Sequence, residues 1–373
     1  MLTIIEELIK SGVDSRNIIY INLDKRGYKN IKTPNQLEKV IDDLSVVNGL
    51  KYLFIDEIQN VDNFEEVINV FREDGDFSIF ITGSNSYLLS GELITKLTGR
   101  YIEFEMYTLT FEEYIGMKEY LGKEINPNLT KEFDQYILEG GFPKTLQYDS
   151  VNDKRTYIKS VILEILEKDI KRRVKVNNVS VFEKVKTNII NDFGATMSIK
   201  NILNDLENEG CHIKRETLNR YIQILKDAKI LYKCQRFDLK SRRSLQGEQK
   251  YYLADLGFYY TANTDNRINY GSVLENIVFL YVKSKDYEVS VGRIGKLECD
   301  FILRYAHADY SYLQISMTIM NSIETENREY RPLEMIKDNY PKYLITRDDI
   351  IQKRNGIKHV NIAPFMKDGN LFD

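Results

Sequence analysis

Two acidic side chains, Asp56 and Glu57, stand at the end of the apolar run Tyr52-Leu53-Phe54-Ile55 in the stretch KYLFIDEIQNV. Open α/β sheets bind ligands beyond the carboxyl ends of their strands, so a carboxylate pair there is placed for phosphoryl transfer. The first carboxylate can hold Mg2+ through water, and the second can orient or deprotonate the attacking water. The same pair can equally do no more than end a strand and cap the next turn. A second run, SIFITGSNS, places Thr82, Ser84 and Asn85 beside Asp56, where a polar side chain can touch a γ-phosphate or its water. Arg100, in LTGRYIEFEM ahead of another strand-like run, is positioned to neutralise charge.

The flanking elements follow from periodicity. Met1, Ile4, Ile5 and Leu8 recur at helical spacing and predict an amphipathic helix that ends near Ser11-Gly12. NIIYINL (17–23), YLFIDEI (52–58) and SIFITGS (78–84) are short and almost wholly apolar, as parallel strands covered on both faces must be. Between them, TPNQLEKVIDDL offers Thr33 as N-cap with Pro34 at the first helical position, and NFEEVINVFRED places Phe64, Val67, Ile68 and Phe71 on one face. Alternating strands and helices predict a parallel α/β sheet with right-handed crossovers.

A chain of 373 residues predicts two to four domains at ~100–200 residues each. With 43% hydrophobic and 29% charged residues it is expected to be ordered and globular. No basic leader precedes the first helix and no apolar run reaches the ~18 residues that span a bilayer, so a cytoplasmic protein without membrane contact is expected. Cys211, Cys234 and Cys299 lie far apart without C-x-x-C spacing, which argues against zinc and for a reducing compartment. Net charge is only -4. Between Cys211 and Lys250, however, eleven Lys and Arg face four Asp and Glu, a local excess of seven positive charges.

That basic segment has a form of its own. MSIKNILNDLENEG and RETLNRYIQILKDAKIL read as two helices about a turn at Gly210, followed by strands YKCQRFD and KYYLAD joined by the polar loop LKSRRSLQGEQ. A helix, a turn, a helix and a basic hairpin describe a winged helix. Lys214, Arg215, Asn219 and Arg220 on the second helix can enter a major groove while Arg242 and Arg243 meet phosphates, making nucleic acid the expected partner. The alternative is a winged helix that packs within the molecule and leaves its charges solvated.

The order YLFIDEIQNV, FITGSNSYLLS, LTGRYIEFEMYTLTFEEY, YILEGGFPKTL resembles prokaryotic AAA+-type ATPases that carry a C-terminal winged helix and a nuclease-like domain of the DUF4143 kind. The resemblance implies that Asp56 and Glu57 are Walker B, Ser84 or Asn85 the sensor, Arg100 an arginine finger acting within or between subunits, and ATP with Mg2+ the cofactors, Mg2+ being held by Asp56 through water. In that family a strand and a G-x-x-x-x-G-K-[ST] loop precede a helix like residues 1–10. No such motif occurs in this sequence, since Gly122-Lys123 is followed by Glu124 and Gly295-Lys296 by Leu297. The loop supplies the N–H cradle and the lysine that hold β- and γ-phosphates. The expectation is either a sheet that closes an interior gap by rearrangement or, preferred, a start assigned downstream of the true one.

Residues 271–350 resemble a PD-(D/E)xK nuclease core, with Glu275 on a helix, Asp300 on a strand, and Gln314-Ile315-Ser316 at the place of (D/E)-x-K. There carboxylates would hold Mg2+ and a lysine would activate water. An amide and a serine in those places imply a fold without cleavage. The expected architecture is thus α/β: a truncated P-loop NTPase-type parallel sheet (1–110), a helical lid segment (111–175), a winged helix (176–256) and an α+β PD-(D/E)xK nuclease-like domain (257–373). The expected function is an ATP-binding protein that couples nucleotide state to DNA or a protein partner, impaired in ATP binding by the missing loop. A non-catalytic nucleic-acid-binding or interaction scaffold is the alternative, and homo-oligomer formation stays open.

Overall fold

A computed structural model describes residues 1–83, 101–165, 176, 178–262, 269–305 and 309–368. The chain divides into two compact units, Met1–Phe104 and Glu105–Asp373. Among the described residues no helix is long and apolar enough to cross a membrane.

In the first unit, strands β1 (Ile18–Asn22), β2 (Lys51–Asp56) and β3 (Phe77–Ile81) pair in parallel in that order. Register runs from Ile18 opposite Tyr52 to Asn22 opposite Asp56, which brings Asn22 and the acidic strand end side by side. Helix α1 (Leu2–Lys10) precedes the sheet, and α2 (Pro34–Leu44) and α3 (Phe64–Glu73) are the crossovers. The first turn of α2 is tied as its sequence requires: Pro34 leads, and the Thr33 N–H donates to Gln36 Oε1 at 3.2 Å. Leu37, Ile41, Phe64, Val67 and Phe71 pack with Ile19, Ile21, Leu53 and Ile55, so both helices cover one face of the sheet. Among the described strands of this unit, β2 lies between β1 and β3 and bonds directly to both.

The second unit contains α4 (Phe111–Tyr120), α5 (Leu129–Glu139), α6 (Val151–Glu164), α7 (Val179–Asn191), α8 (Ile199–Asn208) and α9 (Arg215–Asp227). After them come α10 (Gly257–Ala262), α11 (Tyr270–Ser284), α12 (Ile323–Met335) and α13 (Ile362–Asp368). Its strands are β4 (Thr196–Met197), β5 (Leu231–Asp238), β6 (Arg243–Leu253), β7 (Glu288–Ile294), β8 (Leu297–Tyr305), β9 (Asp309–Ile315), β10 (Lys342–Thr346), β11 (Lys353–Arg354) and β12 (Ile357–Asn361). They form one sheet of nine in the order β11-β12-β10-β9-β8-β7-β5-β6-β4. A parallel β5–β7 pairing, from Gln235 opposite Ser290 to Asp238 opposite Arg293, joins the basic hairpin to the C-terminal strands.

The hairpin differs from its expected outline. Most of the polar loop is strand: β6 begins at Arg243, and the turn is only residues 239–242, with Arg242 at φ 54°. Polar residues enter a strand here because this end of the hairpin is exposed, and a register shift between Cys234 and Arg236 absorbs the unequal strand lengths.

GGFP also finds a physical reason. Asp255 is buried, and its carboxylate accepts the Gly141 N–H and the Gly257 N–H at 2.7 Å each. A Cβ on Gly140, at φ 74°, would fall 2.2 Å from an Asp255 oxygen, and one on Gly141 would fall 2.4 Å from the Leu109 carbonyl. Three distant segments can approach only through side-chain-free backbone. Burial raises the Asp255 pKa to about 6, against the two N–H bonds that favour the anion. A folded-state pKa above the unfolded one means the native state binds the proton more tightly, so this group's contribution falls as pH rises from about 4 to about 6. Urea denaturation of wild type and Asp255→Asn between pH 4 and 7 is expected to show the variant less stable at pH 4. That difference should shrink by up to about 3 kcal/mol as the wild-type carboxylate ionises.

Candidate functional site

Asp56 ends β2 between two donor-bearing neighbours. Its carboxylate accepts from Asn22 Nδ2 at 2.8 Å and from the Tyr20 hydroxyl at 3.2 Å, both on β1, and from the Thr82 hydroxyl just past β3. The parallel register produces this convergence, because strands in step present their C-terminal side chains at one level. Glu57 leaves the strand in the left-handed region at φ 60°, and its N–H donates to Thr82 Oγ1 at 3.3 Å. A non-glycine residue held there costs of order 1–3 kcal/mol and persists where its surroundings over-determine it. Here Thr82 supplies that constraint twice, since the Ile58 N–H also donates to the Thr82 carbonyl at 3.0 Å. The Gln59 amide donates to the Glu57 carboxylate and holds it beside the strand end.

A carboxylate offers about four lone-pair directions, and among the described residues three of those on Asp56 are used. The remaining direction suits contact with Mg2+ through a water, which is what the chemistry of nucleotide sites asks of this position. The donor set fits the metal end of a nucleotide site. No phosphate-cradling Gly-Lys motif accompanies it in this sequence. Ser84, Asn85 and Arg100 lie outside the described residues. Tyr20 and Asn22 have no chemical signature in the sequence; only their alternate positions on a strand paired to Asp56 mark them.

The basic segment holds a different kind of surface. Helices α7, α8 and α9 pack through Phe182, Val185, Leu206, Leu218, Tyr221 and Leu225, which leaves Lys214, Arg215, Asn219 and Arg220 exposed along α9. Lys240, Arg242 and Arg243 are exposed at the hairpin tip, and the tip is braced by the Ser241 N–H donating to Asp238 Oδ1 at 2.7 Å.

In the C-terminal part, Glu275 of α11 and Asp300 of β8 come together as expected, but around a cation from elsewhere. Lys250, on β6, lies 2.9 Å from Glu275 Oε2 and 2.9 Å from Glu298 Oε1, and Arg236 binds the other Glu298 oxygen at 3.0 Å. Tyr252 donates to Glu275 at 3.0 Å, and the Ile315 N–H donates to Asp300 Oδ2 at 2.7 Å. Burial, then the neighbouring Glu275 charge, holds the Asp300 pKa well above the ordinary carboxylate range, with Lys250 opposing. Burial works against the Lys250 charge, yet Glu275, Asp300 and Glu298 together raise its pKa. The cluster balances its own charge: Lys250 and Arg236 offset Glu275 and Glu298, and Asp300 is driven towards its protonated form.

Gln314 and Ser316 do not join it. Leu313 and Ile315 of β9 pack on the α11 side with Val273, Leu274 and Ile277, whereas Tyr312 packs on the α12 side with Tyr330 and Leu333. By alternation Gln314 shares the Tyr312 face, and its Nε2 donates to Glu329 of α12 at 3.1 Å. The strand positions facing Glu275 and Asp300 are therefore leucine and isoleucine. Among the described residues no group of three or more His, Cys, Asp or Glu is arranged to hold a metal ion, so the nuclease type of Mg2+ site is not supported by the side chains present. In the sequence Lys250 is one of eleven basic residues between Cys211 and Lys250; its role appears only when β6 is laid against α11 and β8.

Residues 2–115 match the model of an AAA domain, and residues 130–268 match a domain of unknown function, DUF8612, rather than the DUF4143 kind expected. An uncharacterized protein of Haemophilus influenzae is 33% identical over 342 residues, covering 91% of this chain and 83% of that protein. An uncharacterized protein of Methanocaldococcus jannaschii is 32% identical over 301 residues, covering 75% and 66%. The Walker-type ATPase of Pyrococcus abyssi aligns with a TM-score of 0.47 at 14% identity, over 69% of this chain and 87% of that one. The ORC1 protein of Aeropyrum pernix, solved in complex with DNA, aligns at a TM-score of 0.26 and 14% identity, over 70% and 80%.

Removing one partner of a buried ion pair strands the other, at a cost of about 3–5 kcal/mol. Lys250→Met is expected to lose up to about 3 kcal/mol in urea denaturation, at the low end of that range, because it removes the cation between Glu275 and Glu298, which are only partly buried. Adding Glu275→Gln and Glu298→Gln to it should recover much of the loss. An unchanged midpoint for Lys250→Met would show that the ammonium does not hold the cluster together.

Proposed function

Because the chain belongs to the family of the Haemophilus influenzae protein and carries an AAA domain over residues 2–115, we propose that it is an ATPase-like protein acting on nucleic acid through its basic segment. Residues 176–256 act as a winged helix: α8 and α9 form the helix pair, β5 and β6 the wing, and β4 the short strand that pairs with β6 opposite Lys250 and Gln249. The observation that carries the reading is the concentration of exposed Lys214, Arg215, Asn219 and Arg220 on α9 with Arg242 and Arg243 on the wing, inside a protein whose net charge is -4. Arginine and asparagine are the side chains that read guanine and adenine edges, and arginines on a hairpin tip bind phosphates. A polyanion neutralises such a surface as it binds.

ATP and Mg2+ are the cofactors of the AAA class. In this chain Asp56 would meet Mg2+ through water, Glu57 and Thr82 would line the same edge, and bound Mg2+ would offset phosphate charge. With no phosphate cradle in this sequence, nucleotide affinity is expected to be weak and the coupling of nucleotide state to nucleic acid correspondingly impaired. The C-terminal strands and α11 form a nuclease-like core without cleavage activity. What supports this is the lysine seated among Glu275, Glu298 and Asp300, and the apolar Leu313 and Ile315 where metal-binding and water-activating groups would stand.

Three measurements test the proposal. Fluorescence anisotropy with a duplex DNA is expected to show affinity falling steeply with salt. Arg242→Ala with Arg243→Ala should lessen the log-log slope by about 2, at roughly 0.9 for each phosphate no longer neutralised. Absent or salt-independent binding would remove the nucleic-acid role. Titration with Mg2+ and ATP is expected to show no saturable micromolar binding, and micromolar affinity with Mg2+-dependent turnover would overturn that part. DNA incubated with Mg2+ or Mn2+ should stay intact; cleavage abolished by Asp300→Ala would show the nuclease-like core to be active.

A further inference from the structure

The parallel pairing of β5 with β7 does more than join two halves of a sheet. It brings the tip of the basic hairpin next to another turn that the winged-helix reading does not use. β5 ends at Asp238 opposite Arg293 of β7, and the Leu239 N–H donates to the Arg293 carbonyl at 3.0 Å. β7 then turns into β8 through Gly295 and Lys296, the close of a hairpin in which Ile294 faces Leu297. Gly295 takes φ 64°, and the turn is held by Arg293 Nε donating to the Gly295 carbonyl at 3.0 Å. Arg293 and Lys296 are both exposed.

Two turns therefore leave the same end of the sheet side by side, one with Lys240, Arg242 and Arg243, the other with Arg293 and Lys296. Two acidic groups flank them: Asp238, which accepts the Ser241 N–H and is also held in its charged form by the Arg293 cation, and Glu298, which stands opposite Arg293 in the β7–β8 ladder and binds Arg236 and Lys250, so the five cations outnumber the carboxylates beside them. The order β8-β7-β5-β6 sets the turn centres two strand spacings apart, roughly 10 Å at ~4.8 Å per strand. That is about three phosphate steps along one strand of a duplex, at ~3.4 Å each along its axis.

We propose that the β7–β8 turn is a second phosphate-binding element, in which Arg293 and Lys296 extend the wing into a two-turn cationic ridge that tracks a nucleic-acid backbone. At turn tips these cations meet phosphates rather than base edges, so the ridge adds affinity and register without sequence preference. A rigid sheet holds its two tips, so little ordering cost falls on binding. The inference rests on the nucleic-acid reading above and places part of the footprint beyond residue 256, on strands of the proposed nuclease-like core.

The test compares four proteins on two duplexes of unrelated sequence across a salt series: wild type, Arg242→Ala with Arg243→Ala, Arg293→Ala with Lys296→Ala, and Arg293→Lys with Lys296→Arg. Circular dichroism checks that each is folded, as substitutions at exposed turns should leave it. The Arg293 and Lys296 alanine pair is expected to weaken binding at least tenfold at low salt and to lessen the salt slope by about 2, equally on two unrelated sequences. The charge-preserving pair should bind as wild type does. If the wing pair weakens binding and the Arg293 and Lys296 alanine pair does not, the ridge is wrong and the winged-helix reading stands. If wild type binds no duplex at any salt, both fall together.

Discussion

One buried carboxylate ties the larger unit together. Asp255 accepts two backbone N–H groups from segments more than a hundred residues apart in sequence, Gly141 and Gly257, and the Thr108 hydroxyl donates to the adjoining Ala254 carbonyl at 3.0 Å. Each of those donors would be costly to bury unpaired, at about 1–3 kcal/mol, and each is satisfied by an oxygen fixed at the end of β6. The cost of burying the carboxylate appears in its raised pKa. Around this point the helices α4, α5 and α6, the basic hairpin and α10 take their places. Glycine is required at 140 and 141 because the backbone itself is the contact surface.

The second constraint is electrostatic. Lys250 stands among Glu275, Glu298 and Asp300, at the face where β6, α11 and β8 meet. A lysine in that place does for the carboxylates what a divalent ion does in a metal site: it lets two half-buried glutamates and the buried Asp300 stand close together. It differs in being covalently part of the chain, on the strand next to the sheet's β4 edge. The same substitution of charge for metal fastens the proposed winged helix to the proposed nuclease-like core, since Lys250 and Arg236 come from the hairpin and their partners from α11 and β8. The continuous β5–β7 ladder makes the joint rigid and sets the two basic turns at one end.

The first unit presents the opposite case, an acidic strand end held by neutral donors. Asn22, Tyr20 and Thr82 orient Asp56, and the left-handed turn at Glu57 carries the second carboxylate off the strand. In-step parallel strands are sufficient to build that end. The phosphate end needs successive backbone N–H groups at a helix N-terminus, and these depend on a glycine-rich sequence that cannot be replaced by side chains.

Much of this was legible in the order of residues. The alternation of apolar runs and amphipathic helices specified the parallel sheet, because strands buried on both faces leave no other pattern. The clustering of Lys and Arg between Cys211 and Lys250 marked the basic surface, because charge is additive along a chain. The pair Asp56-Glu57 was legible as a strand end for the same local reason. Lys250, Glu298, Tyr20 and Asn22 gave no such sign, and Gln314 faces the opposite side from the one its spacing suggests, because strand register and facing are settled by pairing partners far away in sequence. The residues alone determined which elements form and where charge accumulates. Which charges end up buried against each other, and which two turns stand together, was decided only when nine strands closed into one sheet, since hydrogen-bonded register is a property of the pair and not of either strand.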